Sequence, residues 1–349
     1  MELENFVKMM KQKETKNIIR NTMRIIHYPD KLIFKLKKFD IKNTIAISGT
    51  PRSGTTWLME IFSKMPNYTY YFEPINPIWF PQIRGVGFKS RTYLKPGTDW
   101  LDGEDYLKLA FTGRVFSLNP PIKSNLEVLM HRWFAKKLII KFVRANRLLP
   151  WLAEKFHIRG IFFIIRHPCA VVASQLKTGF YAYFKDTPPY KQVKPTLNDV
   201  INEATNIDVL DKKIIDKMKR YKTEEEVLTA IWCLDNYVPI NHPKPHPWTT
   251  VIYEKLIKDE NEVVRLFKIL GEKNIPKSAI ENLKEPSIMT LGRDHEMILK
   301  TEKQLSKWKK ALSNKQIERV LKVVKDFDLD FYTEDIEPDY DRFAALNGI

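Results

Sequence analysis

A glycine-bearing loop between an apolar run and a helix-like stretch constrains the fold of this chain most. The loop Gly49–Trp57 follows the apolar run Thr44–Ser48, and a helical pattern continues to Lys64. Strand, turn and helix in this order direct backbone N–H groups and a helix N-terminus toward an anion. The loop fits the frame G-x-x-x-x-G-K-[S/T], except that Thr55 stands at the lysine position. That lysine normally contacts the β- and γ-phosphates of a triphosphate, so we expect an anionic nucleotide other than ATP, with Arg52 as the cation.

A second strand-to-helix unit follows later in the chain. The apolar run Ile161–Ile165 is typical of a buried parallel strand, and it ends in Arg166. Pro168 suits the first position of a helix, which we expect to extend to Lys177. Arg166 can bind phosphate oxygens with two parallel hydrogen bonds, and Ser174 can donate a hydroxyl hydrogen bond. Taken alone, this arginine could equally pair with a carboxylate.

The two motifs together resemble the donor site of sulfotransferases. The string from Pro51 to Trp57 is similar to the family's 5′-phosphosulfate loop, and Arg166 with Ser174 has the spacing of its 3′-phosphate site. These enzymes use 3′-phosphoadenosine 5′-phosphosulfate (PAPS) and release 3′-phosphoadenosine 5′-phosphate (PAP). The resemblance implies a P-loop, nucleotide-kinase-like α/β core with a mostly parallel sheet flanked by helices. It also implies that the donor is bound by Arg52, Ser53, Gly54, Thr55, Thr56, Trp57, Arg166 and Ser174.

Further segments extend the resemblance over most of the chain. Lys141–Asn146 and Leu148–Leu152 look like the segment before the 3′-phosphate strand in carbohydrate and bacterial sulfotransferases. Val251–Leu256 looks like the family's R-Y-E-D-L strand end, with Ile and Lys at the Arg and Asp positions. Trp308 and Phe327–Tyr332 resemble the family's C-terminal helices.

The general base is expected in a different segment. The chain lacks the C-terminal R-K-G clamp of small-molecule sulfotransferases, whereas glycan and tyrosylprotein enzymes often carry a glutamate after the first βα unit. Glu73 occupies that place, and Pro74 favours extended geometry for it, at a strand end. We expect Glu73 to act as base and Arg52 to stabilise charge, although a capping or salt-bridging Glu73 is the plain alternative. His295 is the reserve base, and Lys141 or Arg144 could add charge.

Charge and composition agree with an anionic ligand without requiring one. Formal net charge is +16, from 58 Lys and Arg against 42 Asp and Glu, which favours anionic partners. Genome bias toward lysine would give the same balance. The expected partners are an anionic nucleotide donor and a hydroxyl acceptor, a glycan or another alcohol, and no nucleic acid is expected. The acceptor and the oligomeric state stay open.

No metal is expected. His242 and His246 have helical spacing, but the prolines between and beside them exclude a helix that presents both to one ion. Arginine and backbone amides would supply the positive charge. The alternatives are an atypical P-loop small-molecule or nucleotide kinase that uses ATP and Mg²⁺, and a non-enzymatic polyanion-binding protein.

Several features bear on the compartment. Cys169 and Cys233 lie in apolar helical contexts and are expected to be reduced core residues. No run has the length of a membrane span, and the polar segment Met1–Lys16 is not a secretory signal. A cytoplasmic enzyme is therefore expected. The amphipathic piece Leu32–Lys38 could touch a membrane surface, although packing on the core is favoured.

The expected organisation is one α/β unit with additions. Residues 1–43 are expected to form a basic helical extension, residues 44–332 the sulfotransferase domain and residues 333–349 a tail. Within the domain, residues 179–222 are expected to form a lid or an acceptor-binding insertion. A capping box at Thr223 predicts a helix that reaches about Pro239. Strands are predicted near 44–48, 69–72, 138–142, 161–165 and 248–253.

Overall fold

The structure is a computed structural model that describes residues 38–115, 133–185, 190–285, 287 and 301–347. Most of the predicted N-terminal extension lies outside the described residues, as does the reserve base His295.

A five-stranded parallel sheet forms the centre of the described structure. Its spatial order is β2-β3-β1-β4-β5, and every neighbouring pair is parallel. Parallel strands covered on both faces have nearly continuous apolar sequences, as these do. The predicted α/β class and the five predicted strands are confirmed. The strands are β1 Ile45–Ser48, β2 Tyr68–Phe72, β3 Lys137–Phe142, β4 Gly160–Ile165 and β5 Thr249–Ile252.

The order of the strands places a switch point at β1. The first strand lies between β3 and β4, so that β2 and β3 extend the sheet on one side and β4 and β5 on the other. In open α/β sheets, ligands bind beyond the carboxyl ends of the strands at such a point. The loop after β1 therefore lies at the position where this class of fold binds its ligands.

Helices cover both faces of the sheet. In chain order, the helices from the first strand to the fourth and just beyond are α1 Thr55–Phe62, α2 Leu101–Phe111, α3 Leu149–Lys155 and α4 Pro168–Thr178. The next group precedes the fifth strand and comprises α5 Leu197–Ala204, α6 Lys212–Met218 and α7 Glu224–Ile240. The remaining helices are α8 Tyr253–Lys258, α9 Glu260–Ile269, α10 Lys277–Glu281, α11 Thr301–Leu305, α12 Lys307–Ala311, α13 Asn314–Asp326 and α14 Tyr340–Asn347.

Two large apolar clusters stabilise the fold, one on each face of the sheet. One is centred on α7 and includes Trp151 and Trp232, and the other packs α1 and α9 against the sheet through Phe62 and Phe267. The predicted capping box is present, since Glu226 Oε2 accepts a hydrogen bond from the Thr223 amide at 2.8 Å. Both cysteines are free and buried, as expected.

The segments predicted as an insertion and as a tail both contribute buried side chains to the fold. Residues 179–222 contribute buried side chains such as Tyr183 and Met218 to the α7 cluster, so the described part of this insertion is packed on the core. The expected C-terminal tail contains helix α14, whose Phe343 is buried against Phe331 at 4.9 Å between ring centroids. Within the described residues, no helix has both the length and the apolar character needed to cross a membrane.

Candidate functional site

The loop after β1 approaches its neighbours so closely that two positions require glycine. A Cβ on Gly49 would lie 2.6 Å from the Ile164 side chain, and a Cβ on Gly54 would lie 2.5 Å from the Tyr253 ring. Gly54 also has a left-handed backbone, with φ of 91°, immediately before α1. The first amides of α1 have no partner within the helix, as at any helix N-terminus, and they face the mouth of the sheet. Among the described residues, no side chain caps them. This arrangement can bind an anion.

Arg52 connects the two sequence motifs. Its Nε donates a hydrogen bond to Ser174 Oγ at 2.9 Å, and its backbone carbonyl accepts one from Arg166 at 3.0 Å. Arg52 therefore contacts both residues of the expected 3′-phosphate site, Arg166 and Ser174. Gln175, next to Ser174, adds a bond to the Pro51 carbonyl at 3.2 Å. The loop after β1 and helix α4 are thus held together at the carboxyl ends of the neighbouring strands β1 and β4.

The two arginines lie close together, and Arg166 interacts electrostatically with the buried Glu254 carboxylate behind it. Within the described residues, neither Arg52 nor Arg166 has an ion pair with a carboxylate. Burial, with a further contribution from the positive charge of Arg166, lowers the pKa of the Arg52 guanidinium. The Arg166 guanidinium lies over the Tyr253 ring at 4.2 Å, and its buried Nε has no hydrogen-bond partner in the part of the chain that is described. A buried donor of this kind is costly to leave unpaired, so an anionic ligand fits the site.

Glu73 lies at the carboxyl end of β2 and is tied to β3. Its Oε1 lies 2.6 Å from Lys141 Nζ, and its Oε2 accepts a hydrogen bond from the Val143 amide at 3.2 Å. The Glu73 backbone amide donates to the Lys141 carbonyl at 2.9 Å, which continues the pairing of Phe72 with Lys141 in the sheet. Only 2% of Glu73 is exposed, so its position is fixed by the sheet.

The extended geometry expected for Glu73 is wrong. Its φ is 55°, in the left-handed region that residues other than glycine rarely adopt. The bonds to Lys141 and Val143 turn the chain here and override the preference imposed by Pro74. Arg52, with φ of 77°, shares this unusual backbone, and such positions cluster at functional sites.

Lys141 is a buried cation within strand β3, beside the apolar residues Ile140 and Phe142. Burial lowers its pKa, whereas the adjacent Glu73 carboxylate acts in the opposite direction. Its Nζ also lies 3.8 Å from the centroid of the Phe72 ring. The sequence suggested Lys141 only as an added charge and did not predict its pairing with Glu73. The charged residue in a buried apolar strand was the available signal.

An open cleft joins these groups. It encloses about 1050 Å³, including its solvent-filled mouth. Among the described residues, four cationic side chains and two carboxylates, those of Glu73 and Glu285, line it. The sequence-predicted residues that line the cleft are Arg52, Gly54, Thr55, Thr56, Trp57, Glu73, Arg166 and, among the suggested additional charges, Lys141 and Arg144.

Some predicted residues lie behind this surface. Ser53 is 1% exposed and does not line the cleft, and the Ser174 hydroxyl reaches it only through Arg52. Trp57 lines the cleft while its Nε1 donates to the Asn282 carbonyl at 3.2 Å. Trp79 also lines the cleft.

A buried network supports Arg166 from behind. Glu254 accepts hydrogen bonds from the His167 amide at 2.9 Å and from the Tyr332 hydroxyl at 2.9 Å. His167 Nδ1 accepts from the Cys169 amide at 3.1 Å, so its Nε2 donates to the Thr333 carbonyl. Burial lowers the pKa of His167 to about 3, and this imidazole is therefore a neutral helix cap and not a base.

Comparisons with known proteins find structural likeness only. A scan against protein-family models and a search of curated proteins each found no match. The sulfotransferase domain from the curacin biosynthetic pathway is 16% identical and covers 81% of this chain and 96% of its own, with a TM-score of 0.43. The sulfotransferase domain of the Synechococcus PCC 7002 olefin synthase is 16% identical and covers 84% and 98%, with a TM-score of 0.41.

A third solved structure extends the same observation. Sulfotransferase STF9 from Mycobacterium avium is 11% identical and covers 90% of this chain and 82% of its own, with a TM-score of 0.39. All three of these proteins are sulfotransferases. The TM-scores are low, so the evidence for the function of this chain lies in the residues of its cleft.

Proposed function

We propose that this protein is a PAPS-dependent sulfotransferase that transfers a sulfuryl group to an acceptor hydroxyl. The observation that carries the proposal is the position of Arg52. It hydrogen-bonds Ser174 at 2.9 Å and accepts from Arg166 at 3.0 Å, so the two sequence motifs form one cationic surface. Glu73 and Lys141 line the same cleft.

The donor residues fit a nucleotide with phosphates at both the 5′ and 3′ positions. The amides at the start of α1, with Thr55 and Thr56, would bind the 5′-phosphosulfate. Arg166 would bind the 3′-phosphate, using the donor that lacks a partner in the described structure. Ser174 would hold Arg52 in place, as it does in the structure. Two phosphate sites distinguish this donor from ATP, and Thr55 replaces the lysine that a P-loop kinase uses.

The proposed reaction is an in-line displacement. Glu73 accepts the proton of the acceptor hydroxyl, and the acceptor oxygen forms a bond to sulfur as the bond from sulfur to the bridging oxygen breaks. PAP is the leaving group. Arg52 and the loop amides stabilise the charge that develops on the bridging and sulfuryl oxygens.

Lys141 has two roles in this scheme. Before the reaction it holds the Glu73 carboxylate at 2.6 Å and sets its direction. When Glu73 takes up the proton, the Lys141 cation loses its partner and can stabilise negative charge in the cleft instead. The pair therefore keeps the acceptor side near neutrality until the proton moves.

The proposal is tested by donor use. The purified protein, with a panel of glycan, phenol and alkyl alcohol acceptors, is expected to transfer ³⁵S from labelled PAPS and to continue in excess EDTA. The matched experiment uses γ-labelled ATP with Mg²⁺. Transfer of phosphate that EDTA abolishes and Mg²⁺ restores, without sulfuryl transfer, would replace this proposal by the kinase alternative.

A further inference from the structure

A second cavity adjoins the cleft across a shared wall. Arg144 and Phe184 line both spaces, and the side cavity encloses about 650 Å³, including its open mouth. The Arg144 guanidinium stacks on the Phe184 ring at 4.5 Å and donates to the Ile75 carbonyl at 2.5 Å. Arg144 and Phe184 are 3% and 4% exposed, so the wall is a packed part of the fold. Both spaces are open to solvent at their mouths, so a ligand that reaches from Glu73 over the outer edge of this wall would enter the side cavity.

Among the described residues, the charged side chains that line the side cavity are all cationic. Its charged lining residues are Arg84, Lys89, Arg144 and Lys185, and its described lining includes no carboxylate. Within the described residues, Lys89 and Lys185 form no ion pair. Both are exposed at the mouth, whereas Arg144 is buried at the shared wall. The positive charges of Lys89 and Lys185 are therefore accessible to a ligand.

The same cavity offers flat apolar surfaces. Phe88, Phe184 and Tyr190 contribute aromatic rings to its lining, and the Arg84 guanidinium lies 4.8 Å from the Tyr190 ring centroid. The Arg84 Nε donates to the Pro77 carbonyl at 3.0 Å, which holds this side chain at the rim. Aromatic faces beside cations suit a ring that carries an anionic substituent.

The basic character is not shared by every cavity of this basic protein. A larger cavity beside Arg91 is lined by cations together with Asp99, Asp199 and Glu203. The Arg91 Nε is itself paired with Asp235 at 3.1 Å. Within the described part of the chain, the lack of carboxylates is thus a property of the cavity behind Arg144, and Lys89 lines both this cavity and the one beside Arg91.

We infer that the acceptor is an anionic alcohol, whose reacting hydroxyl lies at Glu73 while its carboxylate or sulfate group lies in the side cavity near Lys89 and Lys185. This inference rests on the proposed function, because it assigns the acceptor class of the same site. Arg144 lies between the two ends of such a ligand and would contact it on either side. Neutral alcohols of the same shape would lack the electrostatic part of this binding.

The test uses two probes that differ in one charge. Protein saturated with PAP, whose phosphates then fill the donor site, is titrated calorimetrically with 4-nitrophenyl β-D-glucuronide and with 4-nitrophenyl β-D-glucoside. We expect the glucuronide to bind about tenfold more tightly, as one to two partly exposed charge-assisted contacts would give. In the double variant Lys89→Gln/Lys185→Gln this preference is expected to disappear while PAP affinity is unchanged.

A matched control separates the cavity from overall charge. The variant Lys268→Gln/Lys273→Gln removes the same charge from exposed lysines outside the lining of the cavity, and it should keep the preference for glucuronide. Equal affinity for both probes, no measurable binding of either at millimolar concentration, or a preference that survives in Lys89→Gln/Lys185→Gln would overturn the inference. Failure of PAP itself to bind wild-type protein would instead refute the proposed function.

Discussion

The two halves of the cleft differ in whether their cationic side chains are paired with carboxylates. On the side proposed to bind the donor, Arg52 and Arg166 follow the neighbouring strands β1 and β4, and neither forms a salt bridge with a carboxylate among the described residues. On the acceptor side, the buried cation Lys141 is paired with Glu73 at 2.6 Å. An unbalanced cationic surface suits a ligand that brings its own negative charge. A balanced pair suits a step in which one proton moves, because the imbalance arises only during that step.

The largest effect is expected from a substitution of Glu73. Glu73→Gln keeps the shape of the side chain but cannot accept a proton, so turnover is expected to fall by about 10²–10⁴-fold. PAP affinity should barely change, because the donor residues are untouched. Steady-state rates measure turnover, calorimetric titration measures PAP affinity, and the melting temperature shows whether the variant is as stable as wild type.

The control for this variant is the other cleft carboxylate. Glu285→Gln removes the same charge from an exposed residue of the lining and should leave turnover within a few-fold of wild type. If Glu73→Gln retained more than about a tenth of wild-type turnover, less loss than a missing base causes, Glu73 would not be the base and His295 would be tested next.

On the donor side, Arg166 is expected to distinguish the two phosphates. Arg166→Ala should weaken PAP binding by about 2–3 kcal/mol and 5′-AMP binding much less, since only PAP has a 3′-phosphate. Arg159→Ala is the matched control, because Arg159 precedes the opposite end of the same strand and pairs with Glu272. Equal losses for PAP and AMP in calorimetry would contradict the 3′-phosphate assignment.

Glycine substitutions sharpen the description of the loop. Gly54→Ala places a Cβ 2.5 Å from the Tyr253 ring at a φ of 91°, whereas Gly97→Ala, at φ of 81°, meets no atom within 4 Å. Both should lose about 1 kcal/mol of unfolding free energy from the backbone alone. We expect an additional loss of about 1–3 kcal/mol for Gly54→Ala, as overpacking typically costs, together with weaker PAP binding. Urea unfolding of both variants gives this difference, and equal losses would show that the loop can relax around the added methyl group.

The smallest effect concerns His167, behind the donor side. Its folded-state pKa of about 3 is below the value of about 6.5 for an unfolded histidine, so only the unfolded chain binds the proton between these values. The stabilisation by neutral His167 is therefore complete above the unfolded pKa and is lost as the pH falls. Between about pH 7 and about pH 5.5 this residue should account for about 1 kcal/mol of lost unfolding free energy.

His167→Asn, which keeps a helix-capping side chain, should show that much less pH dependence in denaturant unfolding. The exposed His157→Gln is the control and should retain the wild-type dependence. If the dependence of His167→Asn matched that of wild type, the imidazole would not be held neutral by burial.

The two halves also differ in how far the sequence predicted them. The donor side is built from local strand-loop-helix units, so the segments around Gly54 and Arg166 predicted both the strands and the helices that follow them. The contacts between side chains of different units were harder to predict from the sequence. Arg52 reaches Ser174 because β1 and β4 are neighbours, and no local pattern specifies that contact.

The acceptor side depends on sheet register. Phe72 pairs with Lys141, which brings Glu73 to the Lys141 side chain from a strand far away in sequence. The left-handed backbone of Glu73 follows from the same contacts, so local preference at Pro74 gave the wrong geometry. The basic side cavity likewise joins segments around Arg84 and Lys185 that only the tertiary fold brings together.

We propose above all that the cationic half of the cleft binds a nucleotide with phosphates at both the 5′ and 3′ positions. Calorimetric titration of wild-type protein with PAP, and with ADP as an isomer that carries both phosphates on the 5′ side, tests it directly. PAP is expected to bind at least about tenfold more tightly than ADP, and Arg166→Ala should remove this difference. Equal or tighter binding of ADP, or of ATP with Mg²⁺, would contradict it.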